Sequence, residues 1–457
     1  MADDTKKLLK REDDFICPMF TYNCHGHAFD GSPWQQYFHI ERDPNGLGEV
    51  LHLFPNEISP LHLQELPSIA HEFLKLAFIE DEEAKARFVM AIVHKGSKDT
   101  PHVLTHLVEE NPQLMVKSNV SLSDHHAIRS LPLCDYYEEL KQSYKNGLST
   151  TPPMHQITMT GKLSEEVGFY CEKYLNALER NCFMGPTLPW GSLSMLHGKI
   201  DRKDSDDGPI CWTRPGEQML SPSFARRRSS SELVAMPSPK KQRCKRELMA
   251  LTKTIEPREI RFEDRTRPHA DHVEGGLYQK TTAAAGFVQC SVTRHDNCSH
   301  IVKDVICFQA EHYDELVRRL QLDVHEPPYS QCLKFLDMAD LNALRRDGVR
   351  FSSIALRNHD LYFIPRNVVH QFRSSSAVTS VAWHVRLKYY NQQQPTQTPE
   401  IEHLENNVKT TSNESCNEDG SIVVEKQQQQ HQNNFIKSEI VETKEEVNGG
   451  GTTTPSG

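Results

Sequence analysis

The chain lacks any apolar run near the eighteen residues that a membrane span needs, so a membrane protein is not expected. Its start, Met1-Ala2-Asp3-Asp4-Thr5-Lys6-Lys7, lacks the apolar core of a secretory signal, and an intracellular protein is expected. Cysteine is sparse: twelve in 457 residues, irregularly spaced, which argues against a disulfide framework and fits buried reduced thiols. Cys17, Cys24, His25 and His27 lie close together, but no second Cys/His pair follows at finger-like distance, so structural zinc is not expected there. Charge of one sign is also missing from most of the chain. The formal net charge is −10, yet residues 391–457 hold eleven acids against four bases, a net of −7, and the remainder is close to neutral.

Five segments are expected. Residues 1–60 form an N-terminal segment, and 61–185 form a helical region. There Leu66, Ile69, Phe73 and Leu76 repeat at helical spacing, Phe88, Ala91 and Ile92 do so next, and Thr100-Pro101 opens a third helix that Pro112 ends. A further run from Ser164 carries Val167, Tyr170, Cys171, Tyr174 and Leu178 on one face. Residues 186–254 turn to Pro, Gly, Ser and charge, as in a linker or insertion. Between Arg226 and Arg246 there are eight bases and one acid, spaced like a bipartite nuclear import signal for an import receptor. Arg227-Arg228-Ser229-Ser230 also matches a basophilic kinase site. Residues 255–390 alternate short strands with two helices and Gly/Pro turns, a pattern that predicts an α+β domain built on a jelly-roll or cupin barrel. The tail, 391–457, is rich in Gln, Asn, Thr and Glu and is expected to be disordered; Ile436-Lys437-Ser438-Glu439 within it has the pattern of a SUMO acceptor at Lys437.

Chemistry concentrates at Arg265-Thr266-Arg267-Pro268-His269-Ala270-Asp271. On an extended strand His269 and Asp271 project to one face and Ala270 to the other. A histidine two residues before an acid is common: roughly three are expected by chance, and five occur, at His39, His269, His272, His312 and His403. What singles out His269 is Asp360-Leu361-Tyr362-Phe363-Ile364-Pro365-Arg366-Asn367-Val368-Val369-His370, which reads as strand, turn, then a strand opening on a histidine. His269, Asp271 and His370 together make a 2-His-1-carboxylate set, the ligand type of non-haem Fe(II) oxygenases, and His384 is a spare ligand.

Arg267-Pro268-His269-Ala270-Asp271-His272-Val273, Thr281-Thr282-Ala283-Ala284, Leu320 to Pro328, Asp360 to Phe372 and Ala377 to His384 resemble the round spermatid basic protein 1 family, a nuclear JmjC family with a lysine demethylase assignment. The similarity is strong over 255–390 and looser over 15–200. It implies a JmjC/cupin-like double-stranded β-helix with flanking helices, Fe(II) at His269, Asp271 and His370, and 2-oxoglutarate as co-substrate. Thr266 matches the position where such enzymes hold an oxoacid-contacting hydroxyl. The basic partner of the distal carboxylate is open among Lys280, Lys303 and Arg373, with Thr266, Lys280 and Arg373 as the expected contacts. The implied substrate is dimethylated lysine 20 of the histone H4 tail in nuclear chromatin. Tyr278, Tyr329, Tyr362 and Trp383 are candidates to hold a methylammonium, and Glu263, Asp264, Glu274 and Glu326 to form an acidic rim. The same residues leave two alternatives, a hydroxylase of another protein or RNA and a chromatin adaptor without catalysis.

Overall fold

In the computed structural model, the described residues are 32–59, 61, 64–122, 124–161, 167–220, 260–273, 280–292, 300–327 and 330–391. Strands begin early. β1 (Phe38–Arg42) and β2 (Glu49–Leu53) are antiparallel neighbours, and β3 (Met90–Val93) runs parallel to β2. The helix Leu66–Ala77 carries the expected stripe, with Ile69, Phe73 and Leu76 buried. The second stripe is a strand instead: Ala91 and Ile92 lie in β3, whose four residues are all buried. A short apolar run covered on both faces does not distinguish helix from strand. The third helix, Val103–Glu110, starts later than expected, because the side chain of His102 caps it by accepting from the Thr105 N–H.

Next come β4 (Met115–Ser121), β5 (Asp124–Pro132), the helix Leu133–Ser143, β6 (Ile157–Thr158) and the helix Glu172–Arg180, which buries Tyr174 and Leu178. Part of the expected linker belongs to the fold. Residues 186–220 are built into it, since β7 (Ile210–Arg214) pairs with β6 on one side and β17 (Val378–Val385) on the other. Alternating burial of Cys211 and Thr213 is the strand signature that the surrounding Pro and Gly obscured. β8 (Gln218–Leu220) pairs with β9 (Ile260–Phe262) across the undescribed 221–259. The C-terminal part adds β10 (His272–Val273), β11 (Lys280–Thr281), β12 (Ala283–Cys290), β13 (Ile301–Phe308), the helices Tyr313–Leu320 and Met338–Arg346, β14 (Phe351–Arg357), β15 (Leu361–Ile364) and β16 (His370–Ser374). A capping box between Asp337 and Asp340 starts the second helix, and Gly348, at φ +91°, ends it.

The strands form an eight-stranded sheet, β1-β2-β3-β15-β12-β17-β7-β6, and a three-stranded sheet, β14-β13-β16. The helical region and the barrel are therefore not separate domains, because strands from both share the large sheet inside one compact unit, Met1–Pro395. The second unit, Thr396–Gly457, lies outside the described residues, as do Arg226–Arg246, Lys437, Cys17, Cys24, His25 and His27. Alternation sends Phe363 and Trp383 of the large sheet to one face, where they pack with Phe73, Tyr136 and Leu178 of the helices. Tyr362 and Ile364 go to the other face and meet Val305, Cys307 and Ile354 of the small sheet. The result is an α+β fold of helices on a two-sheet sandwich. Among the described residues neither sheet closes on itself, and the two sheets face one another.

Two polar networks tie the halves of the chain together. His52 Nδ1 and His94 Nε2 are 3.0 Å apart with the rings coplanar within 3°, and the ends of this chain meet Glu41 Oε2 at 3.2 Å and Asp360 Oδ1 at 3.2 Å. Burial, the largest influence, pushes the pKa of His52 down, and His94 stacks on Phe54.

The second network is the bidentate pair of Glu80 and Arg366, both bonds at 2.7 Å, with the carboxylate fully buried. Arg366→Met is expected to cost about 3 kcal/mol in urea unfolding near neutral pH. The cost should shrink in mild acid, where the abandoned carboxyl, already pushed up by burial, takes a proton. An equal loss at both pH values would show that packing rather than charge is what Arg366 supplies.

Candidate metal centre

The site is assembled on the outer edge of β16. Residues 264–271 run beside that strand, with isolated bridges at Arg265↔Arg373 and His269↔His370. Four residues advance on one side against three on the other, which is a bulge. His269 and His370 exchange both backbone hydrogen bonds, His269 N–H to His370 C=O at 3.0 Å and the reverse at 2.8 Å. Directly opposed residues of an antiparallel pair present their side chains on the same face. The rings consequently meet, with centroids 4.4 Å apart, and Asp271 joins them two residues along.

His269 Nδ1 donates to the Arg267 carbonyl at 2.7 Å, and His370 Nδ1 donates to the Val368 carbonyl at 3.0 Å. In both rings this fixes the proton on Nδ1 and leaves the Nε2 lone pair for a ligand, the tautomer that metal-binding histidines take. Burial, then the neighbouring His370, pushes the pKa of His269 down to about 4, so this ring is neutral at ordinary pH. Burial pushes the Asp271 carboxyl up, but the bond from His384 and the nearby His370 and His269 outweigh it and hold the group ionised well below the usual range. Two imidazoles and a carboxylate are the donor set of a divalent transition metal.

Ligand atoms of His269, Asp271 and His370 all lie within 4.8 Å of one another. Two ligands each about 2.1 Å from one ion sit at most about 4.2 Å apart. His370 Nε2 and Asp271 Oδ2, at 3.7 Å, already meet that limit, and the widest pair needs only a slight closing. The residues fit such an ion. His384 takes another place: its Nε2 is 3.6 Å from Asp271 Oδ1, the oxygen turned away from His370. It is a partner of the carboxylate rather than a fourth member of the cluster.

The other expected site residues separate. Arg373 is a correction. It alternates with His370 and Phe372 on β16 and points to the opposite face, where it binds Asp304 at 2.6 Å and is half exposed. Lys303 holds the inward position instead. The pairings Lys303↔Ser374, Val305↔Phe372 and Cys307↔His370 place it on the His370 face, roughly 13 Å of strand away. Its ammonium lies 5.0 Å from the Phe372 ring and 5.3 Å from Trp212. Burial lowers its pKa to about 7, against Asp264, which raises it.

Thr266 sits at the bulge beside Phe372, its Oγ1 accepting from the Phe372 N–H at 2.8 Å, which leaves its own hydrogen to donate. Lys280 lies in β11, and its side chain is outside the described residues. Trp383 faces the helices and donates to the Thr187 carbonyl at 2.9 Å, so it is no part of the site. Tyr362, the other described aromatic candidate, faces inward here, 6.0 Å from Phe372, while Tyr278 and Tyr329 lie outside the described residues. Asp264 is buried and cannot rim the site, Glu263 pairs with Arg261 and Arg265, Glu326 is exposed, and Glu274 lies outside the described residues. No protein-family model matches the chain.

Proposed function

We propose that this protein is an Fe(II)- and 2-oxoglutarate-dependent oxygenase of JmjC type, its two facing sheets being a variant of the double-stranded β-helix, and that it demethylates lysine in nuclear chromatin. The observation that carries the reading is the opposed pair His269–His370, with each Nδ1 tied to a carbonyl two residues back and Asp271 beside the free nitrogens. A ferrous ion with a 2-oxo acid supplies, when bound, the oxidation of an N-methyl carbon by dioxygen, so that methyl-lysine, dioxygen and 2-oxoglutarate become lysine, formaldehyde, succinate and carbon dioxide.

The chain's own residues do the rest. His269 Nε2, His370 Nε2 and Asp271 Oδ2 hold the ion, and His384 occupies Asp271 Oδ1 so that the other oxygen stays turned inward. Lys303 pairs the distal carboxylate of the oxoacid, with the Thr266 hydroxyl beside it. Phe372, Trp212 and Tyr362 keep that end of the pocket apolar, which strengthens the charge pairing by excluding water. From the family resemblance, the substrate is dimethylated lysine 20 of histone H4.

The test is incubation of a dimethyl-lysine histone H4 tail peptide with the full chain, Fe(II), 2-oxoglutarate and ascorbate, following peptide mass and formaldehyde. Loss of one methylene with stoichiometric formaldehyde is expected. Gain of one oxygen atom without formaldehyde would make the protein a hydroxylase. No succinate under any condition, despite bound iron, would favour an adaptor without catalysis.

A further inference from the structure

The strand that carries two of the three ligands has almost no sheet behind it. His269 spends its backbone groups on His370, and the Asp271 carbonyl accepts from the Thr282 N–H at 2.9 Å, which leaves Ala270 facing away from β16, where no strand among the described residues receives it. A side chain takes that strand's place. Gln331 Oε1 accepts from the Ala270 N–H at 3.0 Å, and Gln331 Nε2 donates to the Ala270 carbonyl at 3.1 Å. One amide thus offers one residue the acceptor and the donor that a neighbouring peptide would.

The arrangement recurs on the other ligand strand. Gln371, next to His370 and pointing to the opposite face, accepts from the Leu336 N–H at 3.0 Å and donates to the Leu336 carbonyl at 2.8 Å. Both glutamines are buried, 2% and 1% exposed, so water does not compete for these bonds. Gln331 and Leu336 belong to the same short connection between the two outer helices. That connection is sewn at one end to His269-Ala270-Asp271 and at the other to His370-Gln371. Cys332, Leu336, Ala270 and Val369 close the apolar cluster around it.

We infer that Gln331 and Gln371 are positioning residues of the metal centre. Through the 331–336 connection they hold the two ligand strands at the separation that brings His269, Asp271 and His370 onto one ion. The inference rests on the metal reading above and names what sets its geometry. Neither glutamine touches the ion. Gln331 acts through the backbone of Ala270, between two ligands, and Gln371, itself next to His370, acts through the backbone of Leu336; an error of an ångström there moves a donor out of range.

The test is titration of the full chain with Co(II) alone, reading dissociation constant and visible absorption, for wild type, Gln331→Leu, Gln371→Leu and Gln331→Glu. The leucines remove both bonds at nearly constant volume. Gln331→Glu keeps the acceptor for the Ala270 N–H but sets an oxygen against the Ala270 carbonyl, and, being polar and equal in size, it decides the matter if a leucine variant does not fold. Co(II) affinity 10- to 100-fold weaker with shifted absorption bands is expected, in protein whose elution volume and circular dichroism match wild type. Wild-type affinity and spectrum in folded variants, with only the melting temperature lowered, would overturn the inference and leave the metal centre standing. Absence of Co(II) binding by the wild type would sink the metal reading itself.

Discussion

Asp271→Ala and His269→Ala proteins will show no metal-dependent rise in melting temperature, whereas the wild type will. An ion at a hundred times its Kd stabilises the folded state by about 2.7 kcal/mol, which for a unit of this size is a shift of roughly 3 to 4 °C. Each variant leaves two ligands, one of them the strand-opposed partner, and two donors do not hold a divalent ion against water at micromolar concentration. His384→Ala keeps all three ligands and loses only the bond to Asp271 Oδ1. It should therefore sit between, with affinity weakened about 10-fold. Differential scanning fluorimetry with Mn(II) or Co(II) reads all three. A full wild-type shift in Asp271→Ala would place the ion elsewhere.

Lys303→Met should move stability and activity in opposite directions. The folded pKa of Lys303 is about 7 and its ordinary value 10.5. Between these two the unfolded chain holds a proton that the folded chain does not. Stability therefore rises with pH across that window, and below its lower end the protein carries the whole cost of burying a charged ammonium. At roughly 1.4 kcal/mol per pH unit the cost is on the order of 5 kcal/mol. Methionine fills similar volume between Trp212 and Phe372 without that cost. The variant should melt well above wild type in mild acid, and the advantage should fade toward strongly alkaline pH. Its KM for 2-oxoglutarate should rise at least 100-fold, since the distal carboxylate loses its buried cation. In the wild type, oxoacid binding should weaken as pH climbs past the point where Lys303 gives up its proton. A stabilised variant with an unchanged KM would remove Lys303 from the pocket and return attention to Lys280.

The placement of His269 and Asp271 on one face was legible because strand alternation is a two-residue property, and so was the helix at Leu66–Ala77, whose stripe repeats within a dozen residues. Most of the strands and both helices after residue 300 were legible for the same reason, their turns and caps lying next to them in the chain. The facts that make a site were not. That His370 rather than His272, His359 or His384 opposes His269 depends on the register of two segments a hundred residues apart, and a slip of one residue would turn His370 to the other face. The same register puts Lys303 inside and Arg373 outside, though both are equally basic in sequence. The role of residues 210–214 in the large sheet was hidden because their partner β17 is reached only at residue 378, and residues 38–53 join that sheet through β3, some forty residues on. Gln331 and Gln371 carry no local signal at all, since an amide becomes a strand edge only where folding leaves a peptide unpaired. Local periodicity thus chose the ligand types and their faces, while long-range pairing, which is paid for in chain entropy and specified by the whole core, chose which of them meet.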